Sequence, residues 1–344
     1  MRINKIRLGR TNLLVSEVAF GGIPVMRLGF DEGAELVRKS IDLGVDFIDT
    51  AHDYGDSEEK IGEALKSFSR EKIVLSSKSP GRDRETFEEH LSASLQRLKT
   101  DYIDIYHLHH VSSEETFDKV FAPGGAVEGL EDAVKAGKVR YPAVSCHNAD
   151  IAVKCIETGR FDVLQFPINF VDIQAEKKVL PRCRDLDIGF IAMKPLGGGM
   201  LEDAELCFKY LQQLGDMIPD PGIEGIEELE EILQIYERRP GLTPRDRERI
   251  RQIRENMGKN WCHRCDYCRP CPEGIPISTI LITESIFKRM DFTSAEEFLG
   301  AAMEKVSACT ECEQCVERCP YDLPIPDLLK EKRRVYEEAV REHK

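Results

Sequence analysis

Tyr102-Ile103-Asp104-Ile105-Tyr106 is a short run of β-branched and aromatic side chains, and it predicts a strand. Just before it, Phe87, Leu91, Leu95 and Leu98 recur at i, i+4, i+8 and i+11, which predicts a helix over 86–98 that buries one stripe. After it, 127–136 reads as a helix stopped by Gly137, and 139–145 as a strand in which Pro142 is awkward because it brings no N–H. The same alternation extends both ways. Towards the N-terminus come a strand at 45–49, a strand at 73–77 and an opening strand at 16–20; a helix over 33–43 has Val37 and Ile41 on one face and Gly44 at its stop. Towards the C-terminus come a helix at 151–158 stopped by Gly159, a strand at 163–166, a helix at 175–187 and a strand at 188–193. A last strand begins at 217–219 and a last helix of this series covers 226–236. Eight strands alternating with helices over roughly 230 residues predict an α/β fold with a closed parallel (β/α)₈ barrel. The rival, a doubly wound open sheet, asks for a G-x-G-x-x-G turn after its first strand. Phe20-Gly21-Gly22-Ile23-Pro24 does not supply one.

The chain has 344 residues, room for that barrel and a smaller domain. Arg238-Arg239-Pro240-Gly241-Leu242-Thr243-Pro244 breaks the composition, and a highly charged helix follows at 245–257. The expected division is a barrel at 1–240, a helical connector at 241–258 and a Cys-rich domain at 259–344. Net charge is -14, which argues against a nucleic-acid partner. No run of 18 apolar residues argues for a membrane span. The polar start Met1-Arg2-Ile3-Asn4-Lys5 is unlike an export signal, so a cytoplasmic protein is expected. Eight of the 12 Cys fall in two short runs, which in a reducing compartment read as metal sites.

Active sites of such barrels lie at the C-terminal ends of the strands. Asp49 ends the second predicted strand, Lys78 follows the third, and His109 ends the fourth, while Tyr54 lies in the loop just beyond Asp49. Singly, an Asp there often caps a helix, a Lys is often a surface charge and a His is often structural. Together they form a coherent proton-handling set. Carbonyl reduction by hydride needs a proton donor beside the oxygen. A Lys ammonium lowers the pKa of a neighbouring Tyr, a buried Asp keeps that Lys charged, and a His can orient the substrate oxygen.

On these residues the sequence resembles the aldo-keto reductase family. The matching stretches are Phe47-Ile48-Asp49-Thr50-Ala51 with Tyr54-Gly55, then Ser76-Ser77-Lys78, then Asp101-Tyr102-Ile103-Asp104-Ile105-Tyr106-His107-Leu108-His109. The resemblance covers about residues 5–235 and implies a (β/α)₈ TIM barrel with Asp49, Tyr54, Lys78 and His109 as catalytic tetrad and Tyr54 as general acid. His110 is the alternative to His109. The resemblance also implies a nicotinamide cofactor, NADP or NAD, lying across the barrel top. Ser145 and Gln165 match the family's contacts to the nicotinamide amide, Lys194, Pro195, Leu196 and Gly197 match its pyrophosphate loop, and Glu231 matches a position near adenine. The chain departs from the family at Cys146 and Ile232, where Asn is common, and at Glu224, which would repel the 2′-phosphate of NADP.

Cys309-x-x-Cys312-x-x-Cys315-x-x-x-Cys319-Pro320 has the spacing of a bacterial ferredoxin run. Cys262-x-x-Cys265-x-x-Cys268-x-x-Cys271-Pro272 is one residue shorter before its last Cys. A zinc site would use four Cys and leave the others idle. Helices predicted at 277–290 and 294–306 separate the runs. Ile275-Pro276-Ile277 and Leu323-Pro324-Ile325-Pro326 echo each other as an internal repeat. The arrangement resembles the aldo-keto reductase subgroup that ends in a small, mainly helical dicluster ferredoxin-like domain with two [4Fe-4S] clusters. By analogy, Cys262, Cys265, Cys268 and Cys319 hold one cluster and Cys309, Cys312, Cys315 and Cys271 the other; alternatively Cys271 closes the first.

The expected activity is an oxidoreductase acting on a small carbonyl or alcohol substrate, with the clusters for electron transfer. Hydride carries two electrons and a [4Fe-4S] cluster exchanges one, so a ferredoxin-like or flavoprotein redox partner is one way to complete the path. The alternatives are an iron–sulfur electron-transfer protein or one-electron reductase fed by a ferredoxin-like partner, with the barrel as scaffold, and clusters that only shape the substrate pocket.

Overall fold

The computed structural model of the protein describes residues 3–257 and 260–343. Met1, Arg2, Gly258, Lys259 and Lys344 lie outside the described residues, and with them the first residues of the polar start and the expected junction at 258–259. The chain divides into two compact units, Met1–Leu196 with Asp203–Leu242, and Gly197–Glu202 with Thr243–Lys344.

In the first unit, β1 (Lys5–Arg7) and β2 (Leu14–Ser16) form an antiparallel hairpin. Eight parallel strands follow: β3 (Phe20–Gly21), β4 (Phe47–Asp49), β5 (Val74–Ser79), β6 (Ile103–Leu108), β7 (Val139–Ser145), β8 (Val163–Pro167), β9 (Gly189–Met193) and β10 (Ile218–Asp220). They lie side by side in chain order, with no reversal of the kind a doubly wound sheet requires. The two ends of the sheet meet: Ala19 N–H donates to Pro219 O at 2.9 Å, Gly21 N–H to Pro221 O at 2.9 Å and Ile223 N–H to Gly21 O at 3.2 Å. The result is a near-closed parallel barrel, as the alternation predicts. Phe47, Ile105, Ala143, Val163, Ile191 and Ile218 fill its inside together with Leu8 and Val15 from the hairpin segment.

Three local expectations change. The opening strand at 16–20 is two pieces, because Ser16 and Asp46 exchange hydrogen bonds (Ser16 N–H to Asp46 Oδ1 at 2.6 Å, Asp46 N–H to Ser16 Oγ at 3.2 Å) and turn the chain between them. The helix at 175–187 begins as a wide turn, Ala175–Val179, before Leu180–Asp185. Pro181 has no N–H with which to continue a regular ladder. Pro142 does sit inside β7. Its carbonyl faces the β8 side, accepting from Asp162 N–H at 2.8 Å, and pairing with β8 begins only at Ala143 opposite Val163, so the missing N–H falls where no ladder partner exists.

The second unit is helical: Pro244–Met257, Ile277–Ile280, Thr283–Arg289, Phe292–Glu304 and Ile325–His343, with shorter turns. The helix expected over 277–290 is broken because Thr283 Oγ1 donates to Ile280 O at 2.6 Å, taking a carbonyl that a continuous helix would use. Ile277, Ile280, Leu299, Met303, Leu323, Ile325 and Leu329 centre a core of its own.

Candidate functional site

Register carries the barrel site. β4 ends on Asp49 opposite Ser76 of β5, and Lys78 lies opposite His107 of β6. Asp49 and Lys78 are 2% and 1% exposed, so neither charge could stand alone. Lys78 Nζ lies 2.5 Å from Asp49 Oδ2 and donates to Thr50 O at 2.6 Å. Ser76 Oγ donates to Asp49 Oδ1 at 2.7 Å, and His107 Nε2 is 3.1 Å from Ser76 Oγ. Burial works against both charges of the pair. Even so, Lys78 holds Asp49 below the usual carboxylate range, and Asp49, Tyr54 and Asp220 hold Lys78 above its ordinary value. Burial and the neighbouring ammonium push His107 down to about 3, which keeps that ring neutral.

Tyr54 caps this pair. The Lys78 ammonium is 5.4 Å from the centre of its ring, and the His109 ring meets it edge-on at 5.9 Å. Burial pushes the phenol up to about 12 against the pull of Lys78. His109 follows directly on β6, with its Nδ1 3.1 Å from Asp53 Oδ1. His110 turns away in a left-handed conformation (φ 57°), its N–H donating to Ser145 Oγ at 2.8 Å and its ring stacked at a tilt on His147 at 4.7 Å. The four sequence-predicted residues Asp49, Tyr54, Lys78 and His109 thus come together at one end of the barrel.

Ser145 and Gln165 are paired in register at the ends of β7 and β8, and both are buried. Gln165 is already engaged: its Nε2 donates to Asp49 Oδ2 at 3.2 Å and to Asp220 Oδ2 at 2.9 Å. Sequence reasoning passed over Asp220, the last residue of β10. The available signal was an acidic residue at a strand's C-terminal end; its nearness to Asp49 follows only from barrel closure. Lys194, Pro195 and Leu196 follow β9 within the first unit, whereas Gly197 opens the segment belonging to the second. There Gly197 is left-handed (φ 59°), and a Cβ on it would meet the Trp261 ring at 2.7 Å. Ser285 Oγ donates to Gly198 O at 3.1 Å. Glu231 is exposed on helix Ile226–Arg238, and Glu224 pairs with Arg27 at 2.5 Å.

In the second unit the two Cys runs share a backbone pattern. Arg264 and Asp266 in the first are left-handed, as are Glu311 and Glu313 at the matching places of the second. After the last Cys of each run the match continues. Gly274 and Asp322 are left-handed, Gly274 N–H donates to Cys271 O at 3.0 Å, and Asp322 N–H donates to Cys319 O at 3.2 Å. Ile277 N–H then bonds Ile275 O at 2.9 Å, and Ile325 N–H bonds Leu323 O at 2.8 Å. Cys271 and Cys319 therefore occupy corresponding places despite the unequal spacing. Cys262, Cys265 and Cys319 are electrostatic neighbours of Cys268, while Cys271, Cys309, Cys312 and Cys315 line one pocket with Pro272, Ile277 and Leu329. Among the described residues no three His, Cys, Asp or Glu side chains are set to hold a single metal ion. No helix among them is long and apolar enough to cross a membrane.

Comparison with known proteins agrees with both halves. Residues 18–207 match the aldo/keto reductase family, and residues 261–324 match a 4Fe-4S dicluster domain. An uncharacterized oxidoreductase of Bacillus subtilis, YrpG, is 32% identical over 226 residues, which is 56% of this chain and 67% of that protein. The NADH-specific methylglyoxal reductase of Escherichia coli is 30% identical over 228 residues, 58% of this chain and 69% of that protein. Among solved structures, an aldo-keto reductase from Bacillus halodurans superposes with a TM-score of 0.62 at 22% identity, covering 73% of this chain and 96% of that one. One from Klebsiella pneumoniae, in complex with NADPH, gives 0.61 at 22% identity, covering 74% and 95%. With its barrel, its matched residues and its similarity to named oxidoreductases, the chain belongs to the aldo/keto reductase family, as an oxidoreductase whose C-terminal region is a 4Fe-4S dicluster domain.

Proposed function

We propose that the barrel reduces a small carbonyl compound, or oxidises the matching alcohol, with NADP or NAD as hydride carrier and Tyr54 as general acid. The observation that carries this reading is the buried Lys78–Asp49 pair beneath Tyr54, with His109 against the Tyr54 ring. Tyr54 stays protonated at neutral pH and gives its Oη proton to the substrate oxygen. Lys78 offsets the charge left on the phenolate, Asp49 keeps Lys78 charged, and His109 orients the oxygen. When bound, a nicotinamide cofactor would supply the hydride. Buried polar groups at the right strand ends fit such a cofactor, with Ser145 and Gln165 to hold its amide and Lys194, Pro195 and Leu196 beneath its phosphates. Glu224 opposes a 2′-phosphate, which favours NAD, the cofactor implied in the name of the Escherichia coli relative.

The second unit holds two [4Fe-4S] clusters in this reading, one on Cys262, Cys265, Cys268 and Cys319, the other on Cys309, Cys312, Cys315 and Cys271. The donor chemistry fits: two sets of soft thiolates on loops of matching left-handed turns, the backbone conformation that N–H nests for anionic groups use. Such clusters supply one-electron exchange. The expected division of the chain into barrel, connector and cluster domain belongs to this same reading.

The test is an anaerobic titration of cluster-loaded protein with NADH and NADPH, followed by turnover on a panel of small dicarbonyls. Nucleotide fluorescence should change on binding, and Tyr54→Phe should lower kcat/KM by about 10²- to 10⁴-fold while binding persists. The commitment of the Gln165 amide to two carboxyl groups favours a second reading, in which no nucleotide binds and a ferredoxin-like or flavoprotein partner feeds one-electron reduction. Failure of both nucleotides to bind would decide for it.

A further inference from the structure

Asp220 stands where the last strand meets the tetrad. One amide nitrogen, Gln165 Nε2, serves two carboxyl groups, Asp49 Oδ2 at 3.2 Å and Asp220 Oδ2 at 2.9 Å. Asp49 has two further donors, Lys78 and Ser76. Among the described residues Asp220 accepts from Gln165 alone, and its Oδ1 is buried without a hydrogen-bond partner. That oxygen points at the β3 end, where a Cβ on Gly21 would lie 2.9 Å from it. The groups facing Asp220 are few. Asp49 comes from β4, Tyr54 from the loop after β4, Lys78 from β5, Gln165 from β8 and backbone from β3, while its register partner on β9 is Met193. The one cation in that set is Lys78, and Lys78 is already spent on Asp49. Two carboxylates sharing one amide donor, one of them with an orphaned buried oxygen, cannot both be ionised cheaply.

We propose that Asp220 is a positioning residue of the barrel site, a neutral carboxylic acid that keeps one proton beside Asp49 and whose ionisation would weaken Tyr54 as an acid. The direction of its own acidity agrees: burial, and then Asp49, raise Asp220 well above the usual carboxylate range. With Asp220 protonated, the charges of Asp49 and Lys78 cancel. When its proton leaves for solvent, the site gains one negative charge. That charge strengthens the hold on Lys78 and opposes a phenolate on Tyr54. Gln165 is drawn further between the two carboxylates at the same time. This inference rests on the proposed role of Tyr54, but its reporter does not depend on turnover.

The experiment is a tyrosinate absorbance titration of the full-length protein, read as the difference between each background and its Tyr54→Phe version. In Asp220→Asn, the Tyr54 titration should move to lower pH by about one unit relative to the native protein, because an ionised neighbour is gone. Where a carbonyl substrate turns over, the alkaline decline of kcat/KM set by Tyr54 should move to lower pH in the same variant. An unmoved Tyr54 titration, or an unchanged pH profile, overturns the proposal. Asp220→Ser, smaller and also neutral, repeats the test if Asp220→Asn does not fold. Because the titration needs neither nucleotide nor substrate, it decides on Asp220 even where the carbonyl reading fails. Turnover that requires Tyr54 alongside an unmoved titration would overturn Asp220 alone.

Discussion

Asp49 and Asp104 sit in closely similar sequence, Phe47-Ile48-Asp49 and Tyr102-Ile103-Asp104, at opposite ends of their strands. Asp49 ends β4 and pairs with the buried Lys78. Asp104 is the second residue of β6 and is 1% exposed, accepting from Arg70 Nη2 at 2.7 Å, Arg140 Nη1 at 2.8 Å and Leu75 N–H at 3.0 Å. Its work is structural, so Asp104→Ala should cost about 3 kcal/mol by urea unfolding, the loss expected for one partner of a buried pair, and leave KM unchanged. The candidate roles of Asp49, Lys78, His109 and Tyr54 were legible because each type stands at or just past a strand end. Ser76 and His107 were not, since a Ser and a His inside an apolar strand carry no pattern until a neighbour's register faces them.

Elements were legible where one periodicity dominates and blurred where a side chain competes with the backbone. Helix Arg84–Arg97 matches the stripe of Phe87 and Leu91 that predicts it, and Asp83 caps it by accepting from Thr86 N–H at 2.9 Å. Helices Ser57–Leu65, Glu114–Phe121, Ala204–Leu214 and Ile325–His343 were not anticipated. Two of these carried a start signal in Ser113-x-x-Thr116 and Asp203, whose side chains accept from Thr116 N–H at 3.1 Å and Leu206 N–H at 2.9 Å. Asn148 does the same for helix Ala149–Glu157, accepting from Asp150 and Ile151 N–H at 2.9 and 3.2 Å. Asn148→Ala should therefore destabilise the barrel by about 1 kcal/mol, read as a lower urea midpoint at constant slope.

At the scale of the molecule, two cores of different character share one chain. The barrel buries a continuous apolar interior, while the second unit packs its helices around Cys-bearing loops, with Cys268 and Cys319 among its buried residues. Metal binding at such a site is folding free energy. Anaerobic iron chelation should strip hydrogen-exchange protection from residues 275–329 and leave it intact on β4–β9. Protection that survives chelation in 275–329 would mean that the apolar contacts of this unit suffice without clusters. The eight Cys and their spacing announced this unit from the sequence. The equivalence of Cys271 and Cys319 stood there as one of two alternatives, because unequal spacing blurs a match that the backbone turns after each Cys repeat.

By itself the sequence determined what is periodic and local: strands and helices in alternation, the polar residues Asp49, Lys78 and His109 at strand ends, the two thiolate runs and the family they point to. The tertiary structure alone decided which side chains share protons and donors. Barrel closure sets β10 beside β3, so that Asp220 shares Gln165 with Asp49 across the sheet. It also placed Gly197 against Trp261, far along the chain within the second unit. Periodicity is fixed by backbone geometry within a few residues, whereas a hydrogen bond between distant strands exists only once the whole sheet has curled round to meet itself.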